Sequence, residues 1–176
     1  VPLADYEPDL LYQKQVEAYY ADPGLNKPVG RFGNAADKWG LANWMAAAVA
    51  DEADADVGFY HIGGVRLDSI PAGGVCAAKV YGLEPFGTLV ARMEMTPAQM
   101  RRMIVSKYND PVNAKEAHRI DLISTTPYVI VTDAADNALD VQFPKLREGR
   151  KYKVAVSDYI YRNYKDMELS LIHISE

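Results

Sequence analysis

Hydrophobic and polar positions follow two rhythms along this chain, and each rhythm predicts its own kind of element. From Pro8 to Tyr20, Leu11, Val16 and Tyr19 or Tyr20 recur at roughly helical spacing, and Asp9 is placed to cap the first turn. Asp22-Pro-Gly24 ends that helix, and Asn26 to Gly33 reads as a polar connection marked by Gly and Pro. A second helix is predicted from Ala35 to Ala53 on a stripe of Leu41, Trp44, Met45 and Val49. Val57 to Ile62 is a short, nearly continuous apolar run, hence a buried strand. It stops at Gly63-Gly64, a sharp turn that only glycine tolerates where φ is positive. Val75 to Leu83 fits either helix or strand, with helix preferred. Leu89 to Met95 is a strand, and Thr96-Pro-Ala-Gln99 then supplies a capping box for a helix reaching Tyr108.

The second half alternates with period two. Tyr128 to Thr132 and Leu139 to Phe143 flank the turn-forming Asp136-Asn137, which predicts a hairpin. Tyr152 to Tyr161 reads as a strand after the Glu148-Gly149 turn. Its alternation puts Tyr152, Val154 and Val156 on one face and Lys153 and Ala155 on the other. Helices and strands mix without regular βαβ alternation, so the fold class expected is α+β, a layered domain of mixed sheet and helix.

Bulk properties narrow this picture. A chain of 176 residues suits one domain, and 49% hydrophobic against 24% charged residues excludes an intrinsically disordered one. No apolar run reaches the ~20 residues that span a bilayer. A net charge of -5 repels phosphate backbones, so nucleic acid is a poor partner. Cys76 is the only cysteine, which excludes an intrachain disulfide and a thiolate metal cluster and leaves the compartment open. It sits in Val-Cys-Ala-Ala, the setting of an inert buried thiol. Val1 is not a start methionine and no signal segment precedes the fold, so the chain is expected to begin inside a longer protein. Leu169 to Glu176 resembles the translation of a transposon-based sequencing adapter; the alternative is a terminal strand at a sheet edge.

What could carry chemistry is sparse. A dimetal phosphoesterase needs two converging sets of His, Asp and Asn ligands, yet outside the tail the chain holds only His61 and His118. Asp-x-His, Gly-Asp-x-x-Asp and Gly-Asn-His-Glu segments are missing, as are a Gly-x-Ser-x-Gly elbow and a phosphate loop. No catalytic residue is assigned, and independent catalysis is not expected.

Three segments could bind. Tyr60-His-Ile-Gly-Gly-Val-Arg66 brings backbone amides and a planar cation to a strand end. The plainer alternative is a tight turn whose arginine pairs with Asp68. Leu83-Glu-Pro-Phe-Gly87 places an aromatic ring on a loop, where it could stack on a flat ligand or merely plug the core. Tyr152 to Asp166 carries Tyr159 just past the regular run, either near a loop or as a half-buried aromatic at a sheet edge.

In this order the segments resemble the C-terminal domain of the 5′-nucleotidase and UDP-sugar hydrolase family. The matches are Gly63-Gly-Val-Arg66, Pro85-Phe-Gly87, Met95-Thr-Pro97 and Tyr152-Lys-Val154, within a similarity covering Lys27 to Met167. The resemblance implies the nucleotide-binding domain over residues 27–168, which makes residues 1–26 an interdomain linker helix; the adapter reading makes 169–176 a derived tail. It implies that Arg66 contacts the nucleoside, that Phe86 and Tyr159 sandwich the base, and that His61, Gly63, Gly64 and Asp166 complete the shell. His61 stands where the family usually has Asn, Tyr159 replaces a phenylalanine, and the glycine pair before Asp166 is missing. Arg31 is the candidate for a further arginine near the domain start.

The resemblance also implies a function. An N-terminal metallophosphatase domain in cis holds two divalent metals and hydrolyses the phosphoester, while the C-terminal domain grips the nucleotide and swings it to them. This chain is then a nucleotide-binding part of a periplasmic or cell-surface hydrolase, inactive alone and without a cofactor of its own. The rival is a stand-alone nucleotide-binding or interaction module working with a separate metallophosphatase subunit; a third reading is a structural domain with a degenerate site.

Overall fold

The computed structural model describes residue 7 and residues 9–110, 122–163 and 171–175, the last segment as backbone only. Asp166 and His118 lie outside the described residues. In chain order the elements are α1 (Leu10–Tyr20), β1 (Pro28–Phe32), β2 (Ala36–Asp37), α2 (Lys38–Glu52), β3 (Val57–His61), β4 (Ser69–Ile70), β5 (Gly73–Cys76) and α3 (Ala77–Leu83). Then follow β6 (Val90–Met95), α4 (Pro97–Tyr108), β7 (Leu122–Ser124), β8 (Val129–Thr132), β9 (Ala138–Gln142), β10 (Tyr152–Ser157), α5 (Asp158–Asn163) and β11 (Leu171–Ser175).

Among the described residues the centre is a five-stranded mixed sheet in the order β11-β6-β10-β3-β7. β3 and β10 run parallel, with Val57 opposite Val154 and Phe59 opposite Val156, and β6 and β7 flank them antiparallel. Because both faces are covered, alternate residues of β3 serve two cores. Val57 and Phe59 join Met93, Met95, Met100, Met103 and Val154 under α4 and β9. Tyr60 turns the other way, into a second core with Leu41, Ala42, Ala46 and Val49 of α2. Gly58 lies between: a Cβ there would sit 2.1 Å from the Ala46 carbonyl oxygen and 2.8 Å from Ala50 Cβ. Glycine is what lets α2 approach the sheet so closely.

Local signals explain the helix ends. Asp9 Oδ1 accepts from the Leu11 and Tyr12 amides, so α1 starts where the pattern predicts. All of α1 is exposed, including Leu10, Leu11, Tyr12, Val16, Tyr19 and Tyr20. Asp37 Oδ1 accepts from the Gly40 amide and starts α2 three residues later than its apolar stripe suggests. The capping box of α4 forms as expected, Thr96 Oγ1 accepting from the Gln99 amide and Gln99 Oε1 from the Thr96 amide.

The structure corrects four readings. Asn26 to Gly33 is not a plain connection: Pro28–Phe32 pairs antiparallel with Gly73–Cys76, an exposed ribbon in which proline takes the first strand position. Val75 to Leu83 is strand and then helix, broken at Cys76; the Ala77 amide donates to the Lys27 carbonyl and the Ala78 amide to that of Leu25. Cys76 is half-buried at that junction, not enclosed. Tyr152 to Tyr161 is not one strand either, because Ser157 Oγ accepts from the Ile160 amide and opens α5. At the far edge β11 pairs antiparallel with β6, Ser175 opposite Val90. An open edge such as that of β6 accepts a Leu-Ile-His-Ile run on its β propensity, whatever the origin of the run.

Candidate functional site

One end of the central sheet collects the candidate residues. The carboxyl ends of β3 and β10 and the start of β6 meet there, Ser157 lying opposite Val90. Beyond β3 the chain makes a short 3-10 turn over Ile62–Gly64 and runs to Arg66. Beyond α3 comes the Pro85–Thr88 loop that leads into β6. Beyond β10 comes α5, with Tyr159 in its first turn.

Non-local backbone bonds draw the three segments together. The Arg66 amide donates to the Leu83 carbonyl at 2.9 Å, setting the arginine beside the loop. Its guanidinium lies 5.9 Å from the centroid of the Phe86 ring, a cation–π contact at the long end of the range. The pairing of Arg66 with Asp68 weighed from the sequence is replaced by this contact, and Asp68 instead lies 3.8 Å from Lys38 Nζ. The Asp158 amide donates to the Leu89 carbonyl, and the Leu89 amide donates back to Asp158 Oδ1. This reciprocal pair fixes the base of the Phe86 loop against the start of α5.

The aromatic rings remain open to solvent. Phe86 is 61% exposed and Tyr159 47%. Pro85 and the positive φ of Gly87 (62°) turn the loop outward, as the sequence predicts. Tyr159, expected on strand or loop, sits on a capped helical turn. The His61 ring stacks on it at 4.5 Å between centroids and 22° between planes, and also meets Tyr60 at 5.3 Å. Gly64 serves by its lack of bulk, not by positive φ: a Cβ there would lie 2.7 Å from His61 Cε1 and 3.0 Å from Tyr60 Cε1. At Gly63 a Cβ would make only an ordinary contact, 3.7 Å from His61 Cδ2. Arg31 is exposed on β1, opposite Gly74.

Glu84 escaped the sequence reading. Its carboxylate accepts from Thr88 Oγ1 at 2.7 Å, the Phe86 amide at 3.2 Å and the Thr88 amide at 3.4 Å, bracing the loop from inside. An acidic residue just before Pro-Phe-Gly-Thr, within local reach of two amides and a hydroxyl, was the available signal. Burial, reinforced by the Glu84 and Asp158 carboxylates, pushes the Tyr60 hydroxyl above the ordinary tyrosine range. On the α2 side of Phe86 a groove of about 640 Å³ is lined by Trp44, Tyr60, Tyr81, Glu84 and Phe86 among others. Arg66, His61 and Tyr159 are not part of its lining, so the groove and the ring cluster are neighbouring features. Among the described residues no three His, Cys, Asp or Glu side chains gather closely enough to hold a metal.

The fold and the site together define a mixed α+β domain that presents a guanidinium and open aromatic rings at one end of its central sheet. The chain belongs to the 5′-nucleotidase C-terminal domain family, whose family model matches residues 26–168. Among solved structures it is similar to a 5′-nucleotidase precursor from Thermus thermophilus, with a TM-score of 0.67, 16% identity, and coverage of 96% of this chain and 38% of that one. It is similar to the NAD nucleotidase of Haemophilus influenzae, with a TM-score of 0.64, 15% identity, and coverage of 95% and 36%. A sulfate thiohydrolase, also from Thermus thermophilus, shares the fold at a TM-score of 0.61 and 14% identity, with coverage of 96% and 35%. The chain thus spans little more than a third of each of these proteins. No curated protein matches it.

Proposed function

We propose that this chain is the nucleotide-gripping domain of a 5′-nucleotidase-type phosphoester hydrolase. One observation carries the reading: the Arg66–Phe86 contact and the exposed, backed ring of Tyr159 are held at the same sheet end by direct backbone bonds. Phe86 and Tyr159 offer stacking faces, Arg66 a planar cation, and Gly63 and Gly64 an uncluttered backbone. Such faces suit any flat base, and stacking contributes about 1–3 kcal/mol per base. Asp166 is proposed as a ribose or base ligand on the resemblance alone.

In this reading, base contacts remote from the reacting phosphorus orient the phosphate for attack, and the chemistry resides elsewhere. On the family resemblance we assign the two divalent metals to an N-terminal metallophosphatase domain in cis, and this chain alone is then inactive. Residues 1–26 serve as the interdomain linker and 27–168 as the binding domain, with 169–176 adapter-derived. Among the described residues no helix is long and apolar enough to cross a membrane; we assign the intact enzyme to the periplasm or cell surface on the family resemblance. Calorimetric titration of AMP and adenosine into the chain tests the grip. Binding that weakens about 5- to 100-fold in Arg66→Ala and Phe86→Ala is expected. No binding up to millimolar ligand, or indifference to both substitutions, overturns the assignment.

A further inference from the structure

The residue at position 61 is this chain's own, since the family resemblance puts an asparagine there. An asparagine can reach a ligand only through hydrogen bonds. The imidazole of His61 is laid out differently. Its plane lies within 22° of the Tyr159 ring at a centroid distance of 4.5 Å, the offset-stacked geometry that aromatic pairs prefer. Its other neighbours hold it in that plane: Tyr60 at 5.3 Å and 27°, and the bare Cα of Gly64, where any side chain would strike Cε1 and Nε2. Tyr159 carries the facing ring. It sits in the first turn of the six-residue helix α5, with 47% of its surface exposed.

We propose that His61 is a positioning residue, a plate that covers one face of Tyr159 and holds the other square to an incoming base. The proposal rests on the nucleoside reading above. An exposed tyrosine would otherwise surrender rotamer freedom on binding, and a ring already stacked has surrendered it beforehand. Flatness is then the property required at position 61, and hydrogen-bonding capacity is not.

The test compares His61→Phe, which keeps a flat ring without a polar atom, with His61→Asn, which keeps hydrogen bonding without a ring. AMP is titrated calorimetrically into each 176-residue chain, and the Tyr159 ring-proton signals are followed by NMR without ligand. His61→Phe should bind within about twofold of wild type, and His61→Asn about two- to tenfold more weakly. The Tyr159 signals should move in His61→Asn, where the ring current of the imidazole is lost, while the urea midpoint certifies that the variant is folded. Equal binding by His61→Asn and wild type overturns the inference alone, as does weakening in His61→Phe as large as in His61→Asn. Unmoved Tyr159 signals overturn it too. A wild-type chain that binds no AMP overturns the nucleoside reading and the inference with it.

Discussion

Glu84 should control affinity without touching the ligand. Its carboxylate is the inner brace of the Phe86 loop, through the Thr88 hydroxyl at 2.7 Å and the Phe86 and Thr88 amides at 3.2 and 3.4 Å. Hydrogen bonds to a charged group contribute about 1.5–3 kcal/mol each when short and well aligned. Here only the hydroxyl contact is short, and the Phe86 contact is exposed, so a combined effect of about 1–2 kcal/mol is the sound expectation. If the loop must order before Phe86 can stack, that energy reappears in binding as about a 5- to 30-fold rise in Kd. Glu84→Ala removes all three acceptors and should show the full effect. Glu84→Gln keeps one oxygen but, with that oxygen towards Phe86 and Thr88 Oγ1, points an amino group at the Thr88 amide and should fall between. Two assays separate cause from consequence: calorimetric titration of AMP, and amide hydrogen exchange at Phe86 and Thr88 in the free chain. Faster exchange at both amides with weaker binding is the expected pair of results. Exchange unchanged in Glu84→Ala refutes the brace; faster exchange with unchanged AMP affinity refutes the claim that loop order limits binding.

Two further expectations concern stability. Gly58→Ala drives a methyl into the Ala46 carbonyl 2.1 Å away, which no rotamer can relieve, so the variant should lose about 1–3 kcal/mol or more in urea unfolding. Both tryptophans, Trp39 and Trp44, lie on α2 and report its displacement by fluorescence; an unchanged midpoint contradicts the close packing. Glu148, exposed beside Arg101, is held below the usual carboxylate range by the hydrogen bond and charge of the guanidinium. Its stabilising contribution is therefore whole above the unfolded value and fades as pH falls through the lower folded one. Glu148→Gln should differ most from wild type at neutral pH and converge with it as pH falls below the lowered folded value, read from denaturation midpoints across pH.

Legibility in the sequence followed the range of the interaction. The Thr96 capping box and the Asp9 cap were readable because donor and acceptor lie within three residues of each other. The Val57 run was readable because burial on both faces forces continuous apolarity. The β1–β5 ribbon was not, since Arg31 meets Gly74 across roughly forty residues of chain, β1 has no buried residue and β5 buries Val75 alone, too little to imprint a period. Ser157 hid its role because Tyr-Lys-Val-Ala-Val reads onward as strand until the cap on Ile160 is seen. For the candidate site, Arg66, Phe86 and Tyr159 were legible as types of residue in ordered segments. Their assembly was not, because it depends on the Arg66–Leu83 and Leu89–Asp158 bonds between segments far apart in sequence. His61 was expected as a polar ligand, and its ring geometry was invisible without Tyr159 beside it.

The reciprocal bonds between Leu89 and Asp158 carry a last consequence. They join the roots of the two ring-bearing segments by one main-chain bond and one bond to a carboxylate, so the roots keep their spacing while the Phe86 and Tyr159 rings above them turn on their own torsions. On the function proposed above, stacking faces rooted in this way take purine and pyrimidine alike, because every base offers a flat face, and leave the choice between them to whatever meets the edge of the base.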